Sequence, residues 1–238
     1  MLFDTPKSTS NLVRPDRLLF LYHAKKAFYG EPVVEDLEAE LCKLHGVGYC
    51  VACCSGFMTL ELAIRAIALD KPEVITPSLT YRRMDSIIKW AGKAPVFCEV
   101  DSHTLGVSAE TVFQKITENT ALILAAHPIV NLCDIDGITR LSEKYTIPVV
   151  FDSVEAAYAE YHYTKQHGKS IGSFPEAEVF SVHASKFLNG CEGGYLTTNN
   201  SGVANKIKQL RQEFGYGMNP YHAAMTLTSG EGYSREQD

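Results

Sequence analysis

Residues 121–152 read ALILAAHPIVNLCDIDGITRLSEKYTIPVVFD, and most of what the sequence says about architecture follows from this stretch. It contains a short apolar run at 121–125, a helix-like segment at 134–145 and a second apolar run at 148–151. Two short strands separated by a helix of this length are typical of a βαβ crossover, in which both strands are parallel members of one sheet. The stretch therefore predicts an α/β protein.

The same alternation continues on both sides of this unit. Further strands are predicted at 49–53, 73–76, 95–100 and 179–182, and further helices at 35–46, 57–69, 82–91, 109–117 and 203–214. Because helices between parallel strands cover both faces of the sheet, we expect a three-layer α/β/α fold with a mostly parallel central sheet. No repeat or low-complexity linker divides the 238 residues.

Composition excludes several classes of function. The net charge is −6, from 22 basic and 28 acidic side chains, and no basic run concentrates positive charge as in a nucleic-acid binder. No segment reaches the ~18 apolar residues of a membrane span, and Asp4, Pro6 and Lys7 interrupt the N-terminus where a signal peptide is apolar. Seven cysteines, an odd number, indicate reduced thiols. We expect a cytoplasmic protein that binds neither nucleic acid nor membranes.

Candidate site residues follow the predicted strands, because ligands in open α/β sheets bind beyond the carboxyl ends of the strands. In chain order these candidates are Ser55, Gly56, Ser78, Thr80, Tyr81, His127, Asp152, Glu155, Ser181, His183 and Lys186. Several have an ordinary structural explanation as well. Ser55-Gly56 is either a phosphate-binding turn or only a helix cap, and Asp152 is either a cap or a ligand-facing charge.

The combination of these groups points to one cofactor. Most lysines are solvated surface charges, and this is the ordinary interpretation of Lys186 as well. A phosphate-binding turn, a flat aromatic side chain, a carboxylate and a lysine at one edge of a sheet are, however, what pyridoxal 5'-phosphate requires. The lysine forms the Schiff base, and the carboxylate keeps the pyridine nitrogen protonated.

Two other kinds of site are alternatives to this one. Cys50 and Cys53 form C-x-x-C with Cys42, His45 and Cys54 nearby, which raises a zinc site, but no second pair of ligands follows. Core thiols are the favoured interpretation, and no metal is expected. A Rossmann-type nucleotide site is disfavoured because Gly46-Val47-Gly48 lacks the third glycine and follows a helix where a strand is required.

The motifs resemble those of the DegT/StrS sugar aminotransferases, which are fold-type I pyridoxal phosphate enzymes. Ser181-Val182-His183-Ala184-Ser185-Lys186, followed by Glu192-Gly193-Gly194, is similar to the family's Ser-Phe-His-Ala-Thr-Lys and Glu-Gly-Gly. The segments beginning at Asp152, at Cys54 and at Pro77 are similar to the family's Asp-Ala-Ala-(His or Gln)-Ala, its Ser-Ser-Gly-Thr phosphate turn and its stacking aromatic.

The resemblance implies roles for single residues. Lys186 would be the Schiff-base lysine, Asp152 would hold the pyridine nitrogen and Tyr81 would stack on the ring. Phosphate would bind at Ser55, Gly56, Phe57 and Ser181, with Phe57 lacking the hydroxyl of the family's threonine. Glu155 would lie near the phenolic oxygen, where a carboxylate departs from the family. His127 is either close to the cofactor or a core histidine, and His183 supports the lysine loop.

The resemblance also implies an activity and an organisation. The activity is transfer of an amino group from glutamate or glutamine to a nucleotide-linked keto sugar, in amino-sugar biosynthesis, by a homodimer. Residues 1–33 would be an N-terminal arm, 34–218 the cofactor-binding large domain and 219–238 a loosely structured tail, with the family's small domain absent. A catalytically incomplete relative is one alternative. Related sugar dehydratases carry histidine in place of the lysine, and Lys186 argues against them.

Overall fold

The computed structural model describes residues 17–129, 131–156, 171–173, 176–186 and 188–234. The strands in this part are β1 (Tyr49–Cys53), β2 (Glu73–Pro77), β3 (Ala94–Cys98), β4 (Thr120–Ala126), β5 (Val149–Asp152), β6 (Ala177–Ser181) and β7 (Gly194–Thr198). The helices are α1 (Arg17–Phe28), α2 (Val33–His45), α3 (Gly56–Ile67), α4 (Met84–Trp90), α5 (Ala109–Phe113), α6 (Ile135–Tyr145), α7 (Ser201–Phe214) and α8 (Pro220–Ser234).

The strands form one sheet in the order β1-β7-β6-β5-β4-β2-β3. β7 is antiparallel to both of its neighbours, and every other pair is parallel, so β1 to β6 all run in one direction. The predicted α/β fold with a mostly parallel sheet is confirmed. Because six strands share one direction, their carboxyl ends meet at the same edge of the sheet, where the candidate residues are expected.

Helices bury apolar side chains against both faces of the sheet. Successive residues of β4 alternate between the two faces: Leu122 and Leu124 pack with one core cluster, Ile123 and Ala125 with the other. The first cluster contains side chains from α3, α4 and α7, and the second contains side chains from α2, α6 and α8. A sheet covered on both faces is what makes its strands read as continuous apolar runs.

Three elements were not predicted from the sequence. These are α1, β7 and α8, and the prediction that residues 219–238 are loosely structured is wrong for Pro220–Ser234, which form α8. The boundary between an arm at 1–33 and a large domain at 34–218 stays a prediction. No described helix combines the length and the apolar character needed to span a bilayer.

Helix α8 escaped prediction because its buried face is rich in hydroxyl groups. Thr226 and Thr228 are buried, and each donates its side-chain hydrogen bond to a carbonyl of its own helix, at 2.8 Å to His222 and 2.7 Å to Ala224. Threonine hydroxyls satisfied in this way can be buried without a partner elsewhere. A sequence pattern that counts only apolar residues finds no helical period in such a segment.

Candidate active site

Lys186 lies in the connection between β6 and β7, which continues these two strands as a hairpin. The Val182 N–H donates to the Gly193 carbonyl at 3.0 Å, and the Ala184 N–H donates to the Cys191 carbonyl at 2.9 Å. Near the tip, the Lys186 N–H donates to the His183 carbonyl at 2.8 Å. The lysine backbone is therefore held by hydrogen bonds that extend the sheet. We call residues 182–193 the lysine hairpin.

Helix α8 supports the lysine hairpin from one side. The Asn189 N–H donates to the Ser229 hydroxyl at 3.1 Å. Gly190 approaches α8 so closely that an added Cβ would overlap the Thr226 hydroxyl. The segment that the sequence suggested was a loose tail is thus part of the framework that positions the lysine.

The turn from β1 into α3 contacts the ends of β6 and β7. A Cβ added at Gly56 would lie 2.9 Å from the Ser181 Cβ, and one added at Gly194 would overlap the backbone of Gly56. Ser55 is the N-cap of α3, because its side chain accepts the Met58 N–H at 3.2 Å. The N–H groups of the first helical residues, Gly56 and Phe57, have no acceptor within the helix. The Ser181 hydroxyl beside them accepts the His183 N–H at 3.2 Å and makes only a long, 3.5 Å hydrogen bond to the Gly193 carbonyl. We call these N–H groups and the Ser181 hydroxyl the cradle, and such a set is suited to an anion.

The two aromatic candidates, Phe57 and Tyr81, differ in their surroundings. The Phe57 ring packs edge-on against Trp90, with centroids 5.2 Å apart, so Phe57 can offer the cradle only its backbone. Tyr81 follows β2 and is 51% exposed. Within the described residues, no hydrogen bond or ring contact joins the Tyr81 ring to another candidate, and its stacking role stays a prediction.

Asp152 ends β5 with its side chain buried. The Val154 N–H donates to its Oδ1 at 3.2 Å. The pKa of Asp152 is raised to about 6, chiefly by burial and also by the neighbouring Glu155 carboxylate, while the Val154 N–H and the Lys186 ammonium act in the opposite direction. A buried carboxylate with a perturbed pKa at the carboxyl edge of a sheet is a candidate functional group.

His127 follows β4 beside Asp152. Its backbone N–H donates to the Asp152 carbonyl at 3.0 Å, and its ring stacks on Phe151 with centroids 5.7 Å apart. Burial lowers the pKa of His127 to about 4, so the ring is neutral at pH 7. Nδ1 accepts the Cys133 N–H at 3.2 Å, which leaves the ring proton on Nε2. Nε2 is buried and has no hydrogen-bond partner among the described residues.

Glu155 and Lys186 join the strand-end turn and the lysine hairpin through an ion pair. The Lys186 Nζ donates to the Glu155 Oε1, and the two side chains are 18% and 39% exposed, respectively. Glu155 lies in a turn closed by a 2.9 Å hydrogen bond from the Ala156 N–H to the Ser153 carbonyl. The pair brings the candidate lysine to the side of the turn that begins at Asp152.

Sequence reasoning missed Glu178, which holds this turn from beneath. Glu178 is fully buried in β6. Its Oε2 accepts the Ser153 hydroxyl at 2.8 Å, and its Oε1 accepts the Gly172 N–H at 2.7 Å. An acidic residue inside an apolar strand is the signal that could have found it, since buried carboxylates need partners.

The cysteines of the alternative zinc site lie in three places: Cys42 in α2, Cys50 and Cys53 on β1, and Cys54 just after β1. Burial raises the pKa of Cys53 to about 12 and that of Cys50 well above its usual range, which favours thiols over the thiolates that bind zinc. His45 uses both ring nitrogens, at 2.9 Å from the Ile171 carbonyl and 3.0 Å from the Tyr195 hydroxyl. The described residues contain no group of three His, Cys, Asp or Glu side chains that could hold a metal.

Comparison with known proteins gives this arrangement a family. The sequence profile of the DegT/DnrJ/EryC1/StrS aminotransferase family matches residues 22–233. The chain belongs to this family. Membership of the DegT/StrS family, which the motifs predicted, is confirmed. The role of each site residue stays a prediction.

Relatives of this DegT/StrS chain include curated enzymes and solved structures. An L-glutamine:2-deoxy-scyllo-inosose aminotransferase from Streptomyces fradiae is 36% identical over 170 residues, which are 71% of this chain and 39% of that protein. The enzyme of the same name from Streptomyces lividus is 33% identical over the same shares of each chain. A crystal structure of DesI with its TDP-sugar product is 28% identical, with a TM-score of 0.85 over 98% of this chain and 62% of that one.

The chain spans about two fifths of the length of the curated relatives and somewhat under two thirds of DesI. The match to the family profile, residues 22–233, includes every described strand of the sheet. The activity and substrates of these longer proteins therefore serve only as the basis for proposals about this chain.

Proposed function

We propose that this chain carries the site of a pyridoxal phosphate-dependent aminotransferase. The observation that carries the proposal is the ion pair of Lys186 with Glu155, which holds the lysine at the turn that begins with the buried Asp152. The cradle at Gly56 and Ser181 lies at the same edge of the sheet. When bound, pyridoxal phosphate accepts an electron pair from a carbon next to nitrogen and carries the amino group between substrates. The chain itself has to bind, orient and move protons.

Three features of the described residues fit this cofactor. The close approach of Gly56 to Ser181 places the N–H groups at the start of α3 beside the Ser181 hydroxyl, and such a set of groups suits a phosphate. Asp152 offers a buried carboxylate that a protonated ring nitrogen would stabilise in its charged form. The buried Nε2 proton of His127 lacks an acceptor among the described residues, and a ligand oxygen would supply one.

The roles we propose follow from these positions. Ser55, Gly56, Phe57 and Ser181 bind phosphate, Asp152 holds the ring nitrogen and Tyr81 covers one face of the ring. His127 donates from Nε2 in its neutral form. Lys186 supplies the amine that attaches the cofactor and, when released, the group that moves a proton between substrate atoms.

The substrates are inferred from the relatives. We propose glutamine or glutamate as the amino donor and a nucleotide-linked keto sugar as the acceptor, in line with the printed names of the relatives. A keto cyclitol is a second candidate acceptor, because both curated relatives are named for 2-deoxy-scyllo-inosose.

We also propose a homodimer. Apolar side chains on and just after α1 are largely exposed, namely Leu18, Leu21, Tyr22, Phe28 and Tyr29, and a second copy would cover them. A cytosolic location remains a prediction from the odd number of cysteines.

The cofactor is tested by chemical trapping. Pyridoxal phosphate is added, the product is reduced with borohydride, and the modified peptide is identified by mass spectrometry. We expect modification at Lys186 in the wild type and its loss in Lys186→Ala, whereas Lys206→Ala, which removes an exposed lysine, should be trapped normally. Absence of any adduct at Lys186 would overturn the proposed function.

Turnover is tested separately. With glutamine or glutamate as donor, keto sugars on nucleotide carriers and keto cyclitols are compared as acceptors, and the aminated product is measured. Trapping at Lys186 without transfer to any acceptor would favour a catalytically incomplete relative. Transfer to the cyclitol alone would favour the second candidate.

A further inference from the structure

Strand β1 forms one edge of the sheet, and the turn that carries the N–H groups of the cradle follows it directly. In an antiparallel pair, alternate residues direct both backbone groups away from the neighbouring strand. Ala52, which lies opposite Tyr195 of β7, is such a residue, because its N–H and its carbonyl bond to side chains on the outer side of β1. Contacts on this outer side therefore help to determine where the turn begins.

Two charged side chains occupy the place that a further strand would take. Glu38 of α2 accepts the Ala52 N–H at 2.8 Å through Oε1, and Arg211 of α7 donates to the Ala52 carbonyl at 2.7 Å through Nη1. The same Nη1 also donates to Glu38 Oε1 at 2.7 Å. The Glu38 and Arg211 side chains are only 11% and 21% exposed, respectively. We call this pair of side chains the edge clamp.

The chain after α7 continues the edge clamp toward the cradle. The Cys54 N–H donates to the Tyr216 carbonyl at 2.9 Å, and Cys53 pairs with Gly217 in a single antiparallel bridge. The Tyr216 hydroxyl donates to Glu61 Oε2, in the second turn of α3, at 3.2 Å. The outer side of β1 and the start of α3 are thus both fixed to α7 and to the segment that follows it.

The inner side of the same turn is held by packing and by the ladder. The ladder between β1 and β7 ends at Cys53, three residues before Gly56. Gly56 itself lies so close to Ser181 and Gly194 that an added Cβ would not fit. The turn is therefore fixed between a packed inner side and a hydrogen-bonded outer side. Because hydrogen bonds weaken steeply when their geometry is disturbed, a small shift of the turn would weaken the binding of an anion.

We propose that Glu38 and Arg211 are positioning residues for the cradle. By holding the outer side of β1, they place the N–H groups at the start of α3 where a phosphate can accept from them. This inference rests on the proposed function, which supplies a cofactor that bears a phosphate. Each side chain acts through the backbone of Ala52, so the role concerns recognition of the phosphate and not of the rest of the cofactor.

The test separates the phosphate from the rest of the cofactor. Dissociation constants are measured by absorbance for pyridoxal and for pyridoxal phosphate, and the first divided by the second gives the phosphate preference. Arg211→Lys keeps the charge but replaces a planar, fixed set of donors by a flexible ammonium group. We expect it to lower the preference by about tenfold, the loss of one hydrogen bond to a charged group. Glu38→Gln, which leaves Arg211 without its carboxylate, should lower the preference as well.

Two variants serve as matched controls. Lys208→Gln removes a positive charge 3.9 Å from Glu38 Oε2 but leaves both hydrogen bonds to Ala52 in place. Arg140→Lys makes the arginine-to-lysine change at an exposed position of α6. Both controls should keep the phosphate preference within about twofold of the wild-type value.

An unchanged phosphate preference in both Arg211→Lys and Glu38→Gln would overturn the positioning role. That conclusion would hold even if the two variants bound both compounds more weakly, because equal losses indicate only a less stable protein. A wild-type protein that binds pyridoxal as tightly as pyridoxal phosphate would instead count against the proposed function, since its cradle would not bind a phosphate.

Discussion

The Asp152 carboxyl group is buried at the end of β5, and its pKa is raised to about 6 from an ordinary value of 3.8. Between these two values the folded chain binds more protons than the unfolded chain. The group therefore stabilises the fold fully below about pH 4, and this contribution is lost as the pH rises through 6. At pH 7 the buried charge costs up to about 3 kcal/mol.

We predict that Asp152→Asn stabilises the ligand-free protein at pH 7, by about 1–3 kcal/mol, because the amide keeps the shape without the buried charge. The gain should shrink as the pH falls from 7 to 4, where the wild-type carboxyl is protonated. Urea denaturation at several pH values measures it. Because the pKa of His127 is lowered to about 4, its contribution to stability is lost as the pH falls from about 6.5 to 4. This contribution is the same in both proteins and cancels in the difference between them.

Asp70→Asn removes an exposed carboxylate and controls for the change in net charge. A gain for Asp152→Asn that is the same at pH 4 and pH 7 would contradict a buried, ionised carboxylate. Loss of pyridoxal phosphate binding in the same variant would show that the group which costs stability is the one that serves the ligand.

Single residues of the site were predictable to different degrees. Asp152 was found because it directly follows a predicted strand, and Gly56, Ser181 and Lys186 because they lie at or within four residues of the end of one. Glu178 was not found, since its partners Ser153 and Gly172 are brought to it only by the fold. The ion pair of Glu155 with Lys186 spans 31 residues of sequence, and no local pattern predicts such a contact.

At the scale of elements, apolar runs predicted six of the seven described strands. β7 was missed because only Tyr195 and Leu196 of its five residues are large and apolar, although the strand is buried. Gly194 of β7 needs to be a glycine because α3 begins directly against it. A Cβ there would meet the backbone N and Cα of Gly56, which cannot move without shifting the start of α3.

We predict that Gly194→Ala forces α3 away from β7, at a cost of about 1–3 kcal/mol in unfolding free energy, as for other overpacked cores. Urea denaturation measures the stability. Affinity for pyridoxal phosphate, measured by absorbance, should fall because the N–H groups of Gly56 and Phe57 shift with the helix.

Gly217→Ala is the matched control, since an added Cβ at Gly217 has nothing within 4 Å. It should change neither quantity appreciably. A Gly194→Ala protein with wild-type stability and affinity would show that α3 is not tightly packed against Gly194.

For the whole molecule, the proposed ligand contacts come from separate strands of the sheet. The cradle begins after β1, at one edge, while Asp152 and Lys186 follow β5 and β6, and β7 lies between β1 and β6. A ligand held by all of these groups binds only the folded chain. Binding restricted to the folded state raises the free energy of unfolding by mass action.

We predict that pyridoxal phosphate at about 100 times its dissociation constant stabilises the protein by about 2.7 kcal/mol. For a chain of this size this is a rise in Tm of roughly 5–10 °C. Differential scanning fluorimetry measures it. Pyridoxal, which lacks the phosphate, should give a smaller shift at the same concentration, because the cradle then stays empty. Lys186→Ala should keep part of the shift, since the cradle and Asp152 remain. Equal shifts for pyridoxal and its phosphate would contradict an anion site at Gly56 and Ser181.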